Sequence, residues 1–424
     1  MNILVIGASG LVGAQVVARL CQGEHVVTPV YHRRNSTPDG VNLDLGTAIE
    51  SDWLGALAGK DAVVNCAGVF QDNTADSTDA VHRTGVETLV RAAEKAGVSR
   101  FVHFSAMGMD RAQPTAFSRS KFAGDQVVEH SSLDWVILRP SVILGRSAYG
   151  GSALIRGLAA LPLLPRFTDT KPIQPVQLDD VANTVMLMLE PDAPSRVALE
   201  LAGPDVMTLE DVVRSYRGWL GRRPTTTVSL PGWLMSVVYT AGDMAGWFGW
   251  RPPVRSTARV EMQRGAVGDN SRWISMTKID PQPLSAALQS NPASIQEKWF
   301  ANLYLLKPVV FGVFALFWIM TGLISLGPGW QYGMEIMREG GVAPPAASVA
   351  IIAGAVADIV IGFGIAFRRT VRIALWAAIG ISLAYAVIGT VLVPRLWIDP
   401  LGPMLKIWPI IVLNLVALAI LEDR

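Results

Sequence analysis

The stretch NILVIGASGLVG at residues 2–13 decides the expected fold of this chain. An apolar run is followed by three glycines in a G-x-x-G-x-x-G spacing, and then by the pattern of a helix. The first glycine permits a tight turn, the second lets the backbone approach a pyrophosphate, and the third lets helix pack on strand. A strand, a glycine turn and a helix N-terminus in this order favour dinucleotide binding. The site residues predicted in this turn are Gly7, Ser9, Gly10, Leu11, Val12 and Gly13.

Strand and helix patterns continue to alternate beyond this turn. An amphipathic helix is predicted at 84–97, between two apolar segments. Strands alternating with helices predict an α/β fold, a Rossmann-like doubly wound parallel sheet. The less regular part at about 162–300 is expected to form a small substrate lobe. Further strands are predicted at 25–34, 61–69, 100–108 and 134–140.

The end of the second strand bears on which nucleotide is bound. An NAD-binding protein usually places Asp or Glu there, on the ribose 2′-hydroxyl. Here the strand runs into His32, Arg33 and Arg34. Because guanidinium groups bind phosphate with fork geometry, the two arginines favour NADP(H) over NAD(H). The alternative is that they are two solvated surface residues.

These pieces resemble the short-chain dehydrogenase/reductase superfamily, in its extended and atypical branches. The resemblance is strongest to the branch that contains the nucleotide-binding accessory subunit of respiratory complex I. The motifs occur in the family order and cover roughly residues 1–300. They are GASGLVG, NLDL with Asp44, NCAG at 65–68, HFSA with Ser105, FSRSK at 117–121, RPSVILG at 139–145 and PVQLDDVA at 175–182.

The resemblance implies roles for individual residues. Asp44 and Leu45 would lie at the adenine, and Ala67 and Gly68 would line the cofactor. Pro140 is expected beside the cofactor as well. In the same way, Lys121 would hold the nicotinamide ribose.

The family's catalytic motif is incomplete in this chain. It consists of Tyr-x-x-x-Lys with a serine on the preceding strand, and the phenol exchanges a proton as hydride moves. Ser105 and Lys121 match this motif, but Phe117 occupies the tyrosine position. Phenylalanine carries no titratable proton, and Tyr149 is the one stand-in considered. We therefore expect a retained ribose-binding half and a lost acid–base half.

The C-terminal part predicts a membrane domain. Four apolar runs follow residue 305, each near the ~20 residues that a helix needs to cross ~30 Å of hydrocarbon. We predict a four-helix transmembrane domain at 305–424, after a nucleotide-binding domain at 1–300. It resembles a DoxX-like domain, and a buried soluble bundle is the alternative. The runs lie at 305–326, 348–367, 373–393 and 405–421.

Charges near the apolar runs predict the orientation. The loop FRRTVR between the second and third runs carries Arg368, Arg369 and Arg372. Positively charged loops stay in the cytoplasm, so the soluble domain and the C-terminus are predicted on that side. The expected location is the bacterial inner membrane.

Two segments carry a further hypothesis each. Asp358 lies inside the second run, where a carboxylate is costly and usually faces a bundle interior. It would bind a polar ligand or relay a proton, or would only bond Asn414 or a backbone group. The apolar segment 231–250 is predicted either to lie in the membrane interface or to be an ordinary helix of the lobe.

Composition excludes some functions and leaves two open. A net charge of +1 gives no nucleic-acid footprint, and five scattered histidines give no metal-ligand spacing. One hypothesis is a nucleotide-holding or redox-sensing module within a membrane protein assembly, in contact with lipid. The other is an NADPH-dependent oxidoreductase for a hydrophobic or membrane-borne substrate, such as a quinone or a lipid carbonyl.

Overall fold

The computed structural model describes residues 1–32, 40–73, 76–400 and 402–422. The chain divides into two compact units. The first contains Met1–Trp247 and Pro252–Asn302, and the second contains Phe248–Arg251 and Leu303–Asp423.

The first unit has short strands and helices in alternation. The strands are β1 Asn2–Ile6, β2 Val26–Tyr31, β3 Val41–Asn42, β4 Ala62–Asn65, β5 Arg100–Phe104, β6 Asp134–Pro140, β7 Ile143–Leu144, β8 Leu164–Arg166, β9 Val176–Gln177, β10 Val197–Leu201 and β11 Thr227–Ser229. The helices are α1 Leu11–Leu20, α2 Glu50–Leu57, α3 Gly85–Ala96, α4 Ala116–Glu129, α5 Gly150–Ala159, α6 Leu178–Met188, α7 Leu209–Trp219, α8 Gly232–Trp247, α9 Ser256–Arg264, α10 Ser271–Thr277, α11 Leu284–Ser290 and α12 Ile295–Tyr304. A π-helical turn at Ala80–Thr84 precedes α3.

Seven strands form the main sheet, in the order β10-β6-β5-β4-β1-β2-β3. Every pair in it is parallel. The strand order reverses between β1 and β4, which is where doubly wound sheets bind their ligands. The predicted Rossmann-like doubly wound sheet is confirmed.

The sheet is covered on both faces because neighbouring apolar residues of its inner strands, such as Ile3–Ile6 and Ala62–Val64, are buried on either side. Ile3 and Val5 of β1 pack in one cluster with side chains of α1 and α6. Leu4 and Ile6 point to the other face, into a cluster with side chains of α2, α3 and α4. Alternation of side chains across a strand thus gives two cores, and the site is left to the strand ends.

The second unit is helical. Three of its helices are long and apolar enough to cross a membrane, by length and composition. The fourth predicted run forms a helix of 14 residues, shorter than the prediction. Two further short elements join the long helices. The helices are α13 Leu306–Leu326, α14 Trp330–Glu339, α15 Pro344–Ala366, α16 Val371–Leu392 and α17 Ile407–Ile420, and a 3-10 turn lies at Pro394–Trp397.

The segment containing α17 runs the full depth of the bundle in spite of its length. At its start, Met404 packs on Gly389 near the end of α16, since a Cβ on Gly389 would lie 2.9 Å from the Met404 sulfur. At its end, the Leu421 carbonyl accepts hydrogen bonds from Lys307 Nζ at 3.4 Å and from Arg368 Nη2 at 3.2 Å. Lys307 lies at the start of α13. The fourth crossing stays a prediction, which this geometry supports.

Asp358 of α15 is buried in the bundle interior, at 3% exposure. Its Oδ1 accepts a hydrogen bond from the Tyr385 hydroxyl of α16 at 3.0 Å. Asn414 of α17 donates instead to the Ile410 carbonyl of its own helix, at 2.9 Å. The carboxylate therefore bonds Tyr385 and not Asn414, which was one of the alternatives considered from the sequence.

Candidate nucleotide-binding site

The glycine turn brings α1 onto the end of β1 more closely than side chains would allow. Gly7 has a φ of +77°, and a Cβ on it would lie 2.9 Å from the Ala67 nitrogen. A Cβ on Gly13 would lie 2.2 Å from the Gly7 carbonyl oxygen. Gly10 precedes α1 and offers no side-chain cap. The backbone N–H groups in the first turn of α1 can therefore bind an anionic ligand.

The predicted site residues gather at one edge of the sheet. All seven strands are parallel, so their carboxyl ends meet there. Arg33 and Arg34, on which the prediction of NADP(H) depends, lie outside the described residues. The others follow or end the strands in turn: Gly7 after β1, His32 after β2, Asp44 after β3, Ala67 and Gly68 after β4, Ser105 after β5, and Pro140 at the end of β6.

The adenine end of the predicted site is organised around Asp44. Its Oδ1 accepts a hydrogen bond from the Gly46 backbone N–H at 2.9 Å and lies 3.2 Å from His32 Nδ1. The other ring nitrogen of His32 lies 3.7 Å from Asp76 Oδ1. Leu45 is buried behind this turn, at 4% exposure. His32 is thus held between two carboxylates next to the place where a ribose 2′-substituent is expected.

Lys121 lies between the ends of β4 and β5. Its Nζ donates to the Phe104 carbonyl at 2.7 Å and to the Ala67 carbonyl at 3.4 Å. Burial lowers the pKa of Lys121 to about 8, although Asp125 opposes this shift. The ammonium therefore lies at the edge where the carboxyl ends of the strands meet, and the family resemblance implies the nicotinamide ribose there.

Ser105 is engaged with the protein interior. Its hydroxyl donates to Asp125 Oδ2 at 2.9 Å, and the same oxygen accepts from Arg139 Nε at 3.1 Å. Burial raises the pKa of Asp125 to about 6, and the Arg139 charge and the Ser105 hydrogen bond oppose this shift. The proton of Ser105 therefore points to a buried carboxylate in this structure.

Phe117 belongs to an aromatic cluster at the start of α4. Its ring centroid lies 4.8 Å from that of Phe70 and 5.6 Å from that of His82. His82 Nε2 accepts a hydrogen bond from the Val69 backbone N–H at 2.9 Å. Its Nδ1 can then donate to Ser120 Oγ at 2.9 Å, and the Ser120 hydroxyl donates to the Phe117 carbonyl at 3.0 Å. These contacts fix His82 as a neutral imidazole and hold the 69–70 backbone against Phe117.

Tyr149 has a different setting. It precedes α5, its backbone N–H donates to Ser152 Oγ at 2.9 Å, and its side chain is exposed. Within the described residues, the hydrogen bonds of the Lys121 amine go to backbone carbonyls and not to the Tyr149 phenol. Its role as a stand-in for the missing tyrosine stays a prediction.

Three buried side chains of the site were not predicted from the sequence. Burial and the Lys121 charge hold the pKa values of His82 and His103 well below the usual range. His103 Nδ1 lies 3.3 Å from Asn65 Nδ2, and its Nε2 lies 3.8 Å from Asp125 Oδ1. Asp125 follows Lys121 by one helical turn, and this spacing in the sequence could have indicated that the carboxylate lies near the lysine. His82 lies outside the quoted motifs, and the HFSA motif that begins at His103 does not by itself indicate that this ring lies near Lys121.

Comparison with known families assigns both parts of the chain. Residues 7–189 match the family described as NAD(P)H-binding, and residues 315–415 match the DoxX-like family. The chain joins an NAD(P)-binding domain to a DoxX-like domain.

The NAD(P)-binding domain has relatives among respiratory subunits. The mitochondrial NADH dehydrogenase [ubiquinone] 1 alpha subcomplex subunit 9 of Arabidopsis thaliana is 28% identical over 49% of this chain and 55% of that protein. The 40 kDa subunit of NADH-ubiquinone oxidoreductase from Neurospora crassa is 27% identical over 61% of this chain and 69% of that protein. A ceramide reductase of Caulobacter vibrioides is 24% identical over 52% of this chain and 71% of that protein. This chain thus spans little more than half of the Arabidopsis relative.

Solved structures share the fold of this domain. A UDP-glucuronic acid 4-epimerase from Bacillus cereus, in complex with UDP-glucuronic acid and NAD, superposes with a TM-score of 0.52 at 16% identity. The superposition covers 72% of this chain and 100% of the epimerase chain. The Bordetella bronchiseptica enzyme WbmG, in complex with NAD, gives a TM-score of 0.53 at 16% identity, over 72% of this chain and 95% of that one.

Proposed function

We propose that this protein is a membrane-anchored NADP(H)-binding module of a membrane protein assembly, in which the nucleotide is held but not turned over rapidly. The observation that carries this proposal is the phenylalanine at position 117. Its ring packs against those of Phe70 and His82, and a phenylalanine side chain has no proton to exchange. Ser105, which would support a phenol, donates to Asp125 instead.

The binding half of the site supports the nucleotide part of this proposal. Gly7, Gly10 and Gly13 leave an uncapped helix N-terminus at the switch point, and Lys121 lies at the same edge. The residues present therefore fit a dinucleotide. When bound, the nucleotide would supply a hydride donor, while the chain supplies binding and orientation.

The proposed preference for NADP(H) comes from the sequence after β2. No Asp or Glu follows Tyr31 directly, and the sequence continues with His32 and two arginines, residue types that suit a 2′-phosphate. Asp44 is already paired with His32, at 3.2 Å. A phosphate bound by an arginine fork is the interaction that would separate the two nucleotides.

We expect NADPH to bind at least about ten-fold more tightly than NADH, which is about 1.4 kcal/mol. Isothermal titration of both nucleotides into the full chain in detergent measures the ratio. The double variant Arg33→Ala/Arg34→Ala should bring the two affinities together, and Arg196→Ala, just before β10, is the control. Equal affinities in the parent would overturn the preference and leave nucleotide binding itself intact.

The membrane-assembly part of the proposal draws on the relatives. Two of them are named as subunits of NADH dehydrogenase or NADH-ubiquinone oxidoreductase. In this chain a DoxX-like domain supplies a membrane part of its own. We therefore propose that the nucleotide-binding domain acts next to a bilayer.

A second candidate function is an NADPH-dependent reductase of a hydrophobic carbonyl compound. The observation that favours it is the pKa of Lys121, which burial lowers to about 8. An amine with such a pKa can donate a proton near neutral pH, which general acid catalysis requires. One relative is named a ceramide reductase.

The proposed orientation places the soluble domain and the C-terminus on the cytoplasmic side. It is supported by Arg368, Arg369 and Arg372 around the α15–α16 connection. Phe248–Arg251 belongs to the second unit and contacts the same connection. The Phe248 carbonyl accepts a hydrogen bond from the Arg368 backbone N–H, and Trp250 Nε1 donates to the Ala366 carbonyl.

We expect a reporter fused after Arg424 to be cytoplasmic, because the 404–421 segment runs from the far end of the bundle back to Lys307. A tag inserted at Gly341, between α14 and α15, should be external. Alkaline phosphatase and green fluorescent protein fusions report the two sides. An external C-terminus with an external Gly341 tag would mean that α17 does not cross.

A further inference from the structure

Helix α8 exposes a continuous apolar stripe. Its members are spaced so that they share one face, at i, i+4, i+11 and i+14. Thr240 and Ala241 fill the gap in the stripe and are exposed as well. The α8 stripe consists of Trp233, Val237, Met244 and Trp247, which are 69%, 56%, 49% and 71% exposed.

The opposite face of α8 is packed without space to spare. A Cβ on Gly242 would lie 1.8 Å from the Val254 carbonyl oxygen, and one on Gly246 would lie 2.8 Å from the Arg255 guanidinium. Asp243, the one charged residue of α8, accepts from Arg255 Nε at 3.2 Å. The single charge of the helix is therefore turned inward and neutralised, so that the stripe is left uncharged.

The segment that follows α8 belongs to the membrane part of the chain. Phe248–Arg251 clusters with the second compact unit. The Phe248 carbonyl accepts from the Arg368 backbone N–H at 3.0 Å, and Trp250 Nε1 donates to the Ala366 carbonyl at 2.7 Å. Ala366 is the last residue of α15, a helix long and apolar enough to cross a membrane. Because Trp247 is covalently joined to Phe248, α8 ends one residue from the expected bilayer surface.

We propose that the α8 stripe is a lipid-docking surface, and that α8 lies in the plane of the cytoplasmic membrane interface. Three features argue for lipid over a protein partner. The stripe carries no charge, it has a tryptophan at each end as interfacial belts do, and it continues into a segment bound to the end of a membrane helix. The sequence left two hypotheses for segment 231–250, a helix in the membrane interface and an ordinary helix of the lobe. We propose the first.

The docked helix is linked to the candidate nucleotide site. Gln71 Nε2 donates to Asp243 Oδ1 at 3.0 Å, and Arg255 Nη2 donates to the Asp72 carbonyl at 3.2 Å. Phe70, next to Gln71, packs against Phe117 with the ring centroids 4.8 Å apart. Lipid that holds α8 therefore also holds the 69–72 loop, and with it the aromatic wall of the site.

The first experiment measures depth in the bilayer. Nitroxide labels are placed singly at Val237→Cys and Met244→Cys in the full chain with Cys21→Ser, in nanodiscs of phosphatidylethanolamine and phosphatidylglycerol. Cys66 is retained, since burial raises the pKa of its thiol, and the chain with Cys21→Ser alone is labelled in parallel to measure any label on Cys66. Val206→Cys is the matched control, an apolar residue of the first unit that is 59% exposed.

Both α8 labels should be more accessible to oxygen than to a nickel chelate, and the control label should show the reverse. Equal chelate accessibility at all three positions would overturn the proposal. So would α8 labels that are open to the chelate in nanodiscs and shielded in native membranes, since a protein partner would then cover the stripe. Neither reading needs nucleotide or turnover, so the result is independent of the proposed function.

The second experiment tests the link to the site. Val237→Asp/Met244→Asp should speed amide hydrogen exchange of residues 69–72 in nanodiscs by about ten-fold, because the helix that anchors the loop is released. Val206→Asp should leave that exchange unchanged. Equal exchange in the parent and the double variant would overturn the coupling, and the depth measurement would still decide the docking.

Discussion

Replacing Phe117 with tyrosine is expected to raise NADPH-dependent reduction of carbonyl compounds by about 10²–10⁴-fold over the parent, the usual worth of general acid catalysis. The substitution adds one hydroxyl to a ring that already lies one helical turn from Lys121. The Lys121 ammonium is the charge that would lower the phenol pKa. We expect the parent to show little turnover, because no side chain at this position donates a proton.

The measurement is NADPH oxidation by the full chain in detergent, with a panel of long-chain aldehydes, ketones and quinones. Phe117→Tyr/Lys121→Met is the control, and it should lose the gain because the charge beside the phenol is gone. Phe70→Tyr adds the same hydroxyl to the neighbouring ring and should not raise the rate to the same extent. NADPH affinity of Phe117→Tyr should stay within about two-fold of the parent, since the binding residues are untouched.

The outcomes separate the two candidate functions. Turnover by the parent that disappears in Lys121→Met would favour the reductase, with the lysine as proton donor. Turnover by the parent that survives loss of Lys121 and of Tyr149 would place the active site elsewhere. A parent without turnover, together with an active Phe117→Tyr, would support the nucleotide-holding module.

Gly13→Ala is expected to destabilise the nucleotide-binding domain by about 3 kcal/mol, which is the upper end of the range for overpacking. The added Cβ would lie 2.2 Å from the Gly7 carbonyl oxygen and 2.8 Å from the Gly7 carbonyl carbon. Both are backbone atoms of the residue that directly follows β1, so α1 has to move away. The same movement displaces the first-turn amides of α1, and NADPH affinity should fall at least about ten-fold.

Gly55→Ala in α2 is the matched control, because no atom lies within 4 Å of its added Cβ. Alanine in place of an exposed helical glycine should stabilise by about 0.5–1 kcal/mol. Thermal unfolding in detergent should show Gly13→Ala lower than the parent by about 10 °C and Gly55→Ala slightly higher. A Gly13→Ala protein with parental stability and affinity would show that α1 does not rest on the Gly7 turn.

The sequence determined the fold of the first part of the chain, because the information there is local and periodic. The apolar run of β1, the spacing of Gly7, Gly10 and Gly13 and the alternation of strand and helix predict a parallel sheet without further knowledge. The placing of the glycine turn, of residues 65–68 and of Ser105 at one edge also follows, since parallel strands share their carboxyl edge. The substitution at 117 was visible for the same reason, as the fourth residue before Lys121.

The tertiary structure alone decided which partner each polar group takes. Ser105 donates to Asp125, and Asp358 accepts from Tyr385, and both contacts join residues 20 or more positions apart. His82 lies outside the motifs, and His103 begins the HFSA motif without any sequence spacing that would bring its ring to Lys121, yet both reach the site. The exposure of the α8 stripe was also decided by the tertiary structure, because it depends on which face of α8 packs against Val254 and Arg255. Local pattern fixes most of the secondary structure and the class of the sheet, but burial and hydrogen bonding between distant segments fix the chemistry of the site.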